Sequence, residues 1–223
     1  MLIVALYRLA ARVLPFVPRG LGYWLCDRAG ELLFALLPGP RAGVMSNQRH
    51  ALGLEALPVE VEASSRQVFR NLIRSYFDQF RLSRMCPEEL QRLVTVDGIE
   101  HVEEALAGGK GLILVSAHFG APEVVAQILV AWNYRITVVA EHIQPEEVFQ
   151  LMTSLRGSQG IEFIPIDGAL RPIIRALRQN GLVGLVADRD TSASGIRLPF
   201  LGDETRVADG AAKLALRTGA PIL

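Results

Sequence analysis

Cysteine is nearly absent. Cys26 lies in an apolar segment and Cys86 beside a proline, so the chain has neither a disulfide framework nor a cysteine-based zinc site. Charge of one sign is missing as well: Lys+Arg and Asp+Glu both number 23, which argues against a nucleic-acid binder, whose surface carries a basic excess. No uncharged apolar run reaches the roughly 18 residues of a spanning helix, because Arg8, Arg12, Arg19, Asp27 and Glu31 interrupt the best candidate. A secretory signal is not expected, since the apolar stretch starts at Leu2 with no basic region before it and no small-x-small cleavage site after it. The G-x-S-x-G elbow, G-x-G-x-x-G and H-E-x-x-H are all lacking, so a serine hydrolase, a dinucleotide cofactor and a metal centre are not expected. Gly108-Gly109-Lys110-Gly111 lacks the spacing and the following Ser/Thr of a phosphate loop and reads as a turn before a strand.

Half of the 223 residues are apolar, enough for one sizeable core. The first fifty residues hold six arginines (Arg8, Arg12, Arg19, Arg28, Arg41, Arg49) against Asp27 and Glu31 in an otherwise apolar stretch. That mixture suits a segment lying on a membrane rather than crossing it, and the alternative is two helices packed on the core. Helices are predicted over 2–14, ended by Pro15 and Pro18, over about 20–37, and over 65–84, where Phe69, Leu72, Ile73, Tyr76 and Phe80 recur at helical spacing.

From Val94 onward, short apolar runs alternate with helical ones. Strands are predicted at 111–116, 136–140, 162–165 and 182–187, with helices at 99–107, 120–133, 145–156, 170–179 and 209–217. This order implies an α/β fold: a mostly parallel central sheet flanked by helices, with sites at the carboxyl ends of the strands. The expected organisation is a membrane-associating helical segment over 1–40 and an α/β domain over 41–223. The last residues, Pro221-Ile222-Leu223, read as the start of another strand, from which a fragment of a longer chain is expected.

Three histidines have a glutamate five residues on: His50 with Glu55, His118 with Glu123, and His142 with Glu147. Spacing therefore does not choose among them; context does. His50 lies in a polar, arginine-flanked stretch, His142 has no small-residue turn after it, and His101 sits in a polar helix. Only His118 leaves an apolar strand and enters a helix through Phe119-Gly120-Ala121-Pro122. Gly120 permits a tight bend with room for a ligand, and Pro122 suits a first helical position. An imidazole there can take a proton from an attacking hydroxyl, while a carboxylate on its other nitrogen fixes the tautomer. The competing reading is a histidine at a strand end and a glutamate favourably placed in a first helical turn. Asp188-Arg189-Asp190 follows the strand LVGLVA and marks a second strand end on the same face, or else a solvated loop. Arg156 is a further candidate anion ligand.

HFGAPE at 118–123, VADRD at 186–190 and GIRLPFLGDETRVADGAAKLALRTGAPIL at 195–223 together resemble the bacterial lipid A biosynthesis (lauroyl/myristoyl) acyltransferase family, whose superfamily includes the phosphatidylinositol mannoside acyltransferases. The resemblance implies an HX4(D/E) O-acyltransferase moving a fatty acyl group from acyl-CoA or acyl-ACP to a membrane glycolipid. His118 would be its base and Glu123 its acidic partner, with Gly120, Arg156, Asp188, Arg189 and Asp190 on the substrate side. It implies no metal and no cofactor beyond the acyl donor, and a place on the cytoplasmic face of the bacterial inner membrane. Ala121-Pro122 replaces the family's usual Asn-Trp. Acylation of a lysophospholipid or glycerol phosphate, and a non-catalytic peripheral lipid-binding relative, are the alternative functions.

Overall fold

The protein is described by a computed structural model covering residues 2–82, 84–120, 122–141, 145–157, 160–190 and 195–223; the side chains of Glu123 and Arg156, and all of Ala121 and His142, lie outside the described part. The chain forms two compact units. Residues 1–10, 82–196 and 207–223 make one, and residues 11–81 and 197–206 the other.

The second unit is built on a helix pair. Helix α1 (Leu2–Val13), most of which belongs to the first unit, leads through a short 3-10 turn to α2 (Arg19–Leu36), followed by α3 (Pro38–Leu52) and α4 (Pro58–Leu82). α4 starts seven residues before the predicted position because Pro58, with no N–H to satisfy, begins it without cost, and Glu60 reaches back to accept from the Leu57 amide. Helices α2 and α4 run antiparallel, since positions 23, 27, 31 and 34 of α2 meet 78, 74, 66 and 69 of α4. Gly22, Cys26, Gly30 and Phe34, one turn apart, form the buried seam. Close approach requires the glycines: a Cβ on Gly30 would lie 2.7 Å from the Arg70 Cα, and one on Gly22 would enter the Phe77 ring. Beside the seam, Arg74 donates twice to Asp27, at 2.7 and 2.6 Å, and Arg70 and Arg66 both donate to Glu31. These guanidiniums outweigh the effect of partial burial and hold both carboxyls below their usual range. The only two acids of the first fifty residues are thus taken up internally, and the basic excess there is left to the surface.

The first unit carries the sheet. After α5 (Pro87–Leu93) and α6 (Ile99–Ala107), strands β1 (Leu112–Ser116), β2 (Ile136–Ala140), β3 (Glu162–Pro165) and β4 (Leu182–Val186) alternate with α7 (Pro122–Ala131), α8 (Glu146–Gly157) and α9 (Leu170–Arg178). All four strands pair in parallel in the order β1-β4-β2-β3. The strand period of two sorts the side chains onto two faces. Leu112, Ile136 and Leu182 pack with Ala126 and Leu129 of α7 and Val102 of α6, whereas Ile113, Val183 and Ile164 pack with Ile173 and Leu177 of α9 and Leu214 of α10 (Gly210–Thr218). Both faces are covered, as expected for a parallel sheet. The observed strand limits match the predicted ones to within one residue. The terminal residues also behave as anticipated, for Ile222 bridges in parallel to Ile113 on the free side of β1.

Four elements fall in stretches without a predicted element: α3, α5 and the pair β5 (Ile196–Phe200) and β6 (Asp203–Val207). The last is a hairpin turned by Leu201 and Gly202, both at positive φ, the conformation that a two-residue connection demands. Among the described residues, no helix is long and apolar enough to cross a membrane.

Candidate active site

Parallel strands in neighbouring positions bring their carboxyl ends to one edge. β1 and β4 are aligned so that Ser116 faces Val186, and the Ala187 amide donates to the Ser116 carbonyl at 2.9 Å. Two residues beyond that pair stand His118 and Asp188, the first residues free to turn toward each other. The His118 Nδ1 lies 2.8 Å from the Asp188 Oδ1. Gly120, at φ +68, reverses the chain just after His118 with open space where a Cβ would stand. Glu123 follows as the second residue of α7, and Arg156 lies in the last turn of α8.

The carboxylate at Nδ1 is Asp188, seventy positions away in the chain. Burial pushes the Asp188 pKa up, but hydrogen bonds from the His118 ring and backbone amide outweigh it and hold the carboxyl below its usual range. It is an anion throughout the neutral range. With Nδ1–H donating to that anion, the lone pair resides on Nε2, the nitrogen free to accept a proton. The ring is 57% exposed, so a substrate can reach it.

Arg189 turns the other way, as strand alternation requires, and its Nη1 lies 3.4 Å from Glu141 Oε2 at the end of β2. Asp190 accepts from the Gly195 amide at 2.9 Å and so ties the end of the loop to the base of the hairpin. Gly195 itself sits where a Cβ would come within 2.2 Å of the Val207 carbonyl oxygen.

Two neighbours escaped the sequence reading. Glu141 ends an apolar strand with a charge, the same signal that singled out Asp188. Phe119, 90% exposed beside the imidazole, offers a bare aromatic surface at the reactive end of the sheet, joined by exposed Val125 of α7. The other histidines are placed differently: His50 Nδ1 meets the Ser46 carbonyl, and His101 lies exposed near Glu104 in α6. The glycine-rich stretch is the expected turn, with Gly109 and Gly111 at positive φ before β1.

An ionised acid and an oriented imidazole at an open sheet edge are able to take a proton from a hydroxyl. The sequence profile of the bacterial lipid A biosynthesis acyltransferases matches residues 1–223. The chain belongs to that family. Among its relatives, the phosphatidylinositol mannoside acyltransferase of Mycobacterium tuberculosis (strain CDC 1551 / Oshkosh) is 33% identical over 202 residues, 87% of this chain and 63% of the relative. The phosphatidylinositol mannoside acyltransferase of Mycolicibacterium smegmatis (strain ATCC 700084 / mc(2)155) is 34% identical over 153 residues, 67% of this chain and 50% of the relative. The chain thus spans less than two thirds of the length of these relatives.

Proposed function

We propose that this family member transfers a fatty acyl group from a thioester donor, acyl-CoA or acyl-ACP, to a hydroxyl of a membrane glycolipid of the phosphatidylinositol mannoside or lipid A precursor type. The observation that carries the reading is the 2.8 Å pairing of His118 with Asp188 at the open edge of the sheet, in a chain matched from end to end by an acyltransferase profile. His118 Nε2 takes the proton of the acceptor hydroxyl as its oxygen attacks the thioester carbonyl. The tetrahedral adduct then collapses, the C–S bond breaks, and the imidazolium returns its proton to the departing thiolate. No acyl-enzyme forms. Asp188 holds the ring and stabilises its positive charge. Glu123 is proposed as a further acid from the first turn of α7, and Gly120 leaves room for the reacting carbonyl. Arg189 and Arg156 are proposed as partners for donor or acceptor phosphates, and Asp190 accepts from the Gly195 amide. Incubation with radiolabelled palmitoyl-CoA and extracted bacterial lipids should yield an acylated glycolipid. Label appearing only in free fatty acid would refute the transfer.

Asp188→Asn should lower kcat by about 10²-fold or more with little change in KM, because an amide can hold the wrong tautomer of the ring. A parallel change in KM alone would contradict the orienting role. The pH dependence of stability gives a second readout. Since the folded carboxyl is more acidic than the unfolded one, its contribution is complete above the unfolded value of about 3.9 and fades as pH falls through the depressed value. The Tm gap between wild type and variant should therefore be constant at neutral pH and close in acid.

The N-terminal helices are proposed to rest on the cytoplasmic face of the bacterial inner membrane. Opposite its buried seam, α2 exposes Leu21, Trp24, Leu25, Leu32 and Leu36 along one side, with exposed Arg28 among them. Such an apolar stripe with basic residues suits an interfacial helix. Replacing Leu21, Trp24 and Leu32 together by Gln should weaken binding to phosphatidylglycerol vesicles by about tenfold or more. Unchanged binding would remove this surface from the proposal.

A further inference from the structure

Helix α9 carries Arg171, Arg175 and Arg178 at intervals of four and three, so the three lie along one side, and all are exposed. Nothing in the fold accounts for this row. Like charges one turn apart repel, and Arg171 stands in the first turn, where the helix dipole disfavours a cation and where no acidic residue is present. Arg175 and Arg178 suit the last turn; Arg171 does not. None of the three side chains has an ion-pair or hydrogen-bond partner among the described residues. The same holds for exposed Arg135 at the start of β2, which lines an open groove with Arg175, Thr137 and Glu162. Glu162 accepts from Thr137 Oγ1 at 3.0 Å, and Asp167 before the helix is the other nearby acid. Four cations stand beside Glu162 here, in a chain whose charges balance overall.

The geometry points to α9 as the docking face for an acidic protein that delivers the acyl thioester, an inference that rests on the acyl-transfer reading above. The row from Arg171 to Arg178 is about 10 Å long, the length over which a partner helix would present carboxylates one turn apart. A free phosphate compound would call for guanidiniums that converge, whereas these are strung along a helix. A bilayer would call for large exposed apolar side chains between the cations, whereas Pro172 and Ile174 are half-buried and Gln179 is polar. The placement suits delivery. α9 begins just after the carboxyl end of β3, on the sheet edge that holds His118 and Asp188, and runs back toward the amino ends, where Asn180 caps the start of β1 through the Gly111 amide. A carrier laid along the arginines has its leading end beside the reactive edge, from which a flexible thioester arm can reach inward.

The test uses the full chain and palmitoyl-loaded acyl carrier protein as probe, with affinity read by fluorescence anisotropy at low and high salt. The triple substitutions R171E/R175E/R178E and R171Q/R175Q/R178Q should raise Kd by about tenfold or more and flatten its salt dependence. Tm should change little, since the three side chains are exposed and make no ion pair or hydrogen bond among the described residues. Transfer from palmitoyl-CoA should be unchanged. Undiminished carrier binding in both triple variants would overturn the proposal, as would loss of binding to CoA or to phosphatidylglycerol vesicles in place of the carrier. Anisotropy reads docking without catalysis. Failure of transfer from both donors by wild type would therefore refute the acyl-transfer reading, while transfer from palmitoyl-CoA without carrier binding would refute the docking face alone.

Discussion

Replacing His118 by Ala is expected to lower kcat/KM for acyl transfer by about 10²–10⁴-fold, the range that a positioned general base contributes. The loss should fall on kcat, because the imidazole acts on the proton that moves in the transition state rather than on ground-state binding. Stability should change little. The ring is more than half exposed and packs in neither of the two sheet cores, so its removal opens no cavity. Steady-state rates with palmitoyl-CoA, alongside thermal melts, separate the two effects. A variant that keeps its rate within tenfold would leave the chemistry without its base. A variant that loses its melt would mean that the residue holds the fold. The Asp188 variant should share part of the same loss rather than add to it, since acid and imidazole act as one unit.

Gly111→Ala is expected to destabilise the sheet-bearing unit by about 2–5 kcal/mol, a large share of a typical total of about 5–15 kcal/mol. Two causes combine. Gly111 sits at φ +71, a conformation that costs an L-residue about 1–2 kcal/mol. Its Cβ would also stand 2.7 Å from the Gly181 carbonyl oxygen and 2.8 Å from the Leu177 Cα and carbonyl oxygen. These are backbone atoms of the strand and helix that meet β1 at its first residue, and they cannot rotate away. Gly109→Ala isolates the first cause, because Gly109 has φ +69 but nothing within 4 Å of the added methyl. Urea midpoints should place the Gly109 variant about 1–2 kcal/mol below wild type and the Gly111 variant clearly lower. Equal midpoints for the two would show that crowding at the start of β1 carries no cost.

Much of this molecule could be read from local pattern. The four strands of the parallel sheet are short, mostly apolar runs with a buried core-facing residue on at least one face, and the charged or turn residues beside them mark their limits within a residue. Gly120 and the turn after β1 were legible for a similar reason, since a strand that must become a helix within a few residues needs a residue tolerant of positive φ. α4 begins at Pro58, ahead of the predicted position, because a proline without an N–H is accommodated in a first helical turn. The hairpin of β5 and β6 was missed because its strands are exposed on both sides and show no core-facing alternation.

By itself the sequence determined the α/β class and the positions of the four parallel strands, and it singled out His118 as the candidate among four histidines, because each reading follows from neighbours along the chain. Only the tertiary structure decided which carboxylate meets that imidazole. Asp188 reaches Nδ1 because β4 inserts beside β1 with Ser116 opposite Val186, a pairing made after two intervening strands and fixed by packing on both faces of the sheet. The same holds for the first fifty residues, whose acids are cancelled by arginines forty positions or so away on α4. Strand order and helix pairing are long-range outcomes of how apolar surfaces are buried together, and no local spacing encodes them.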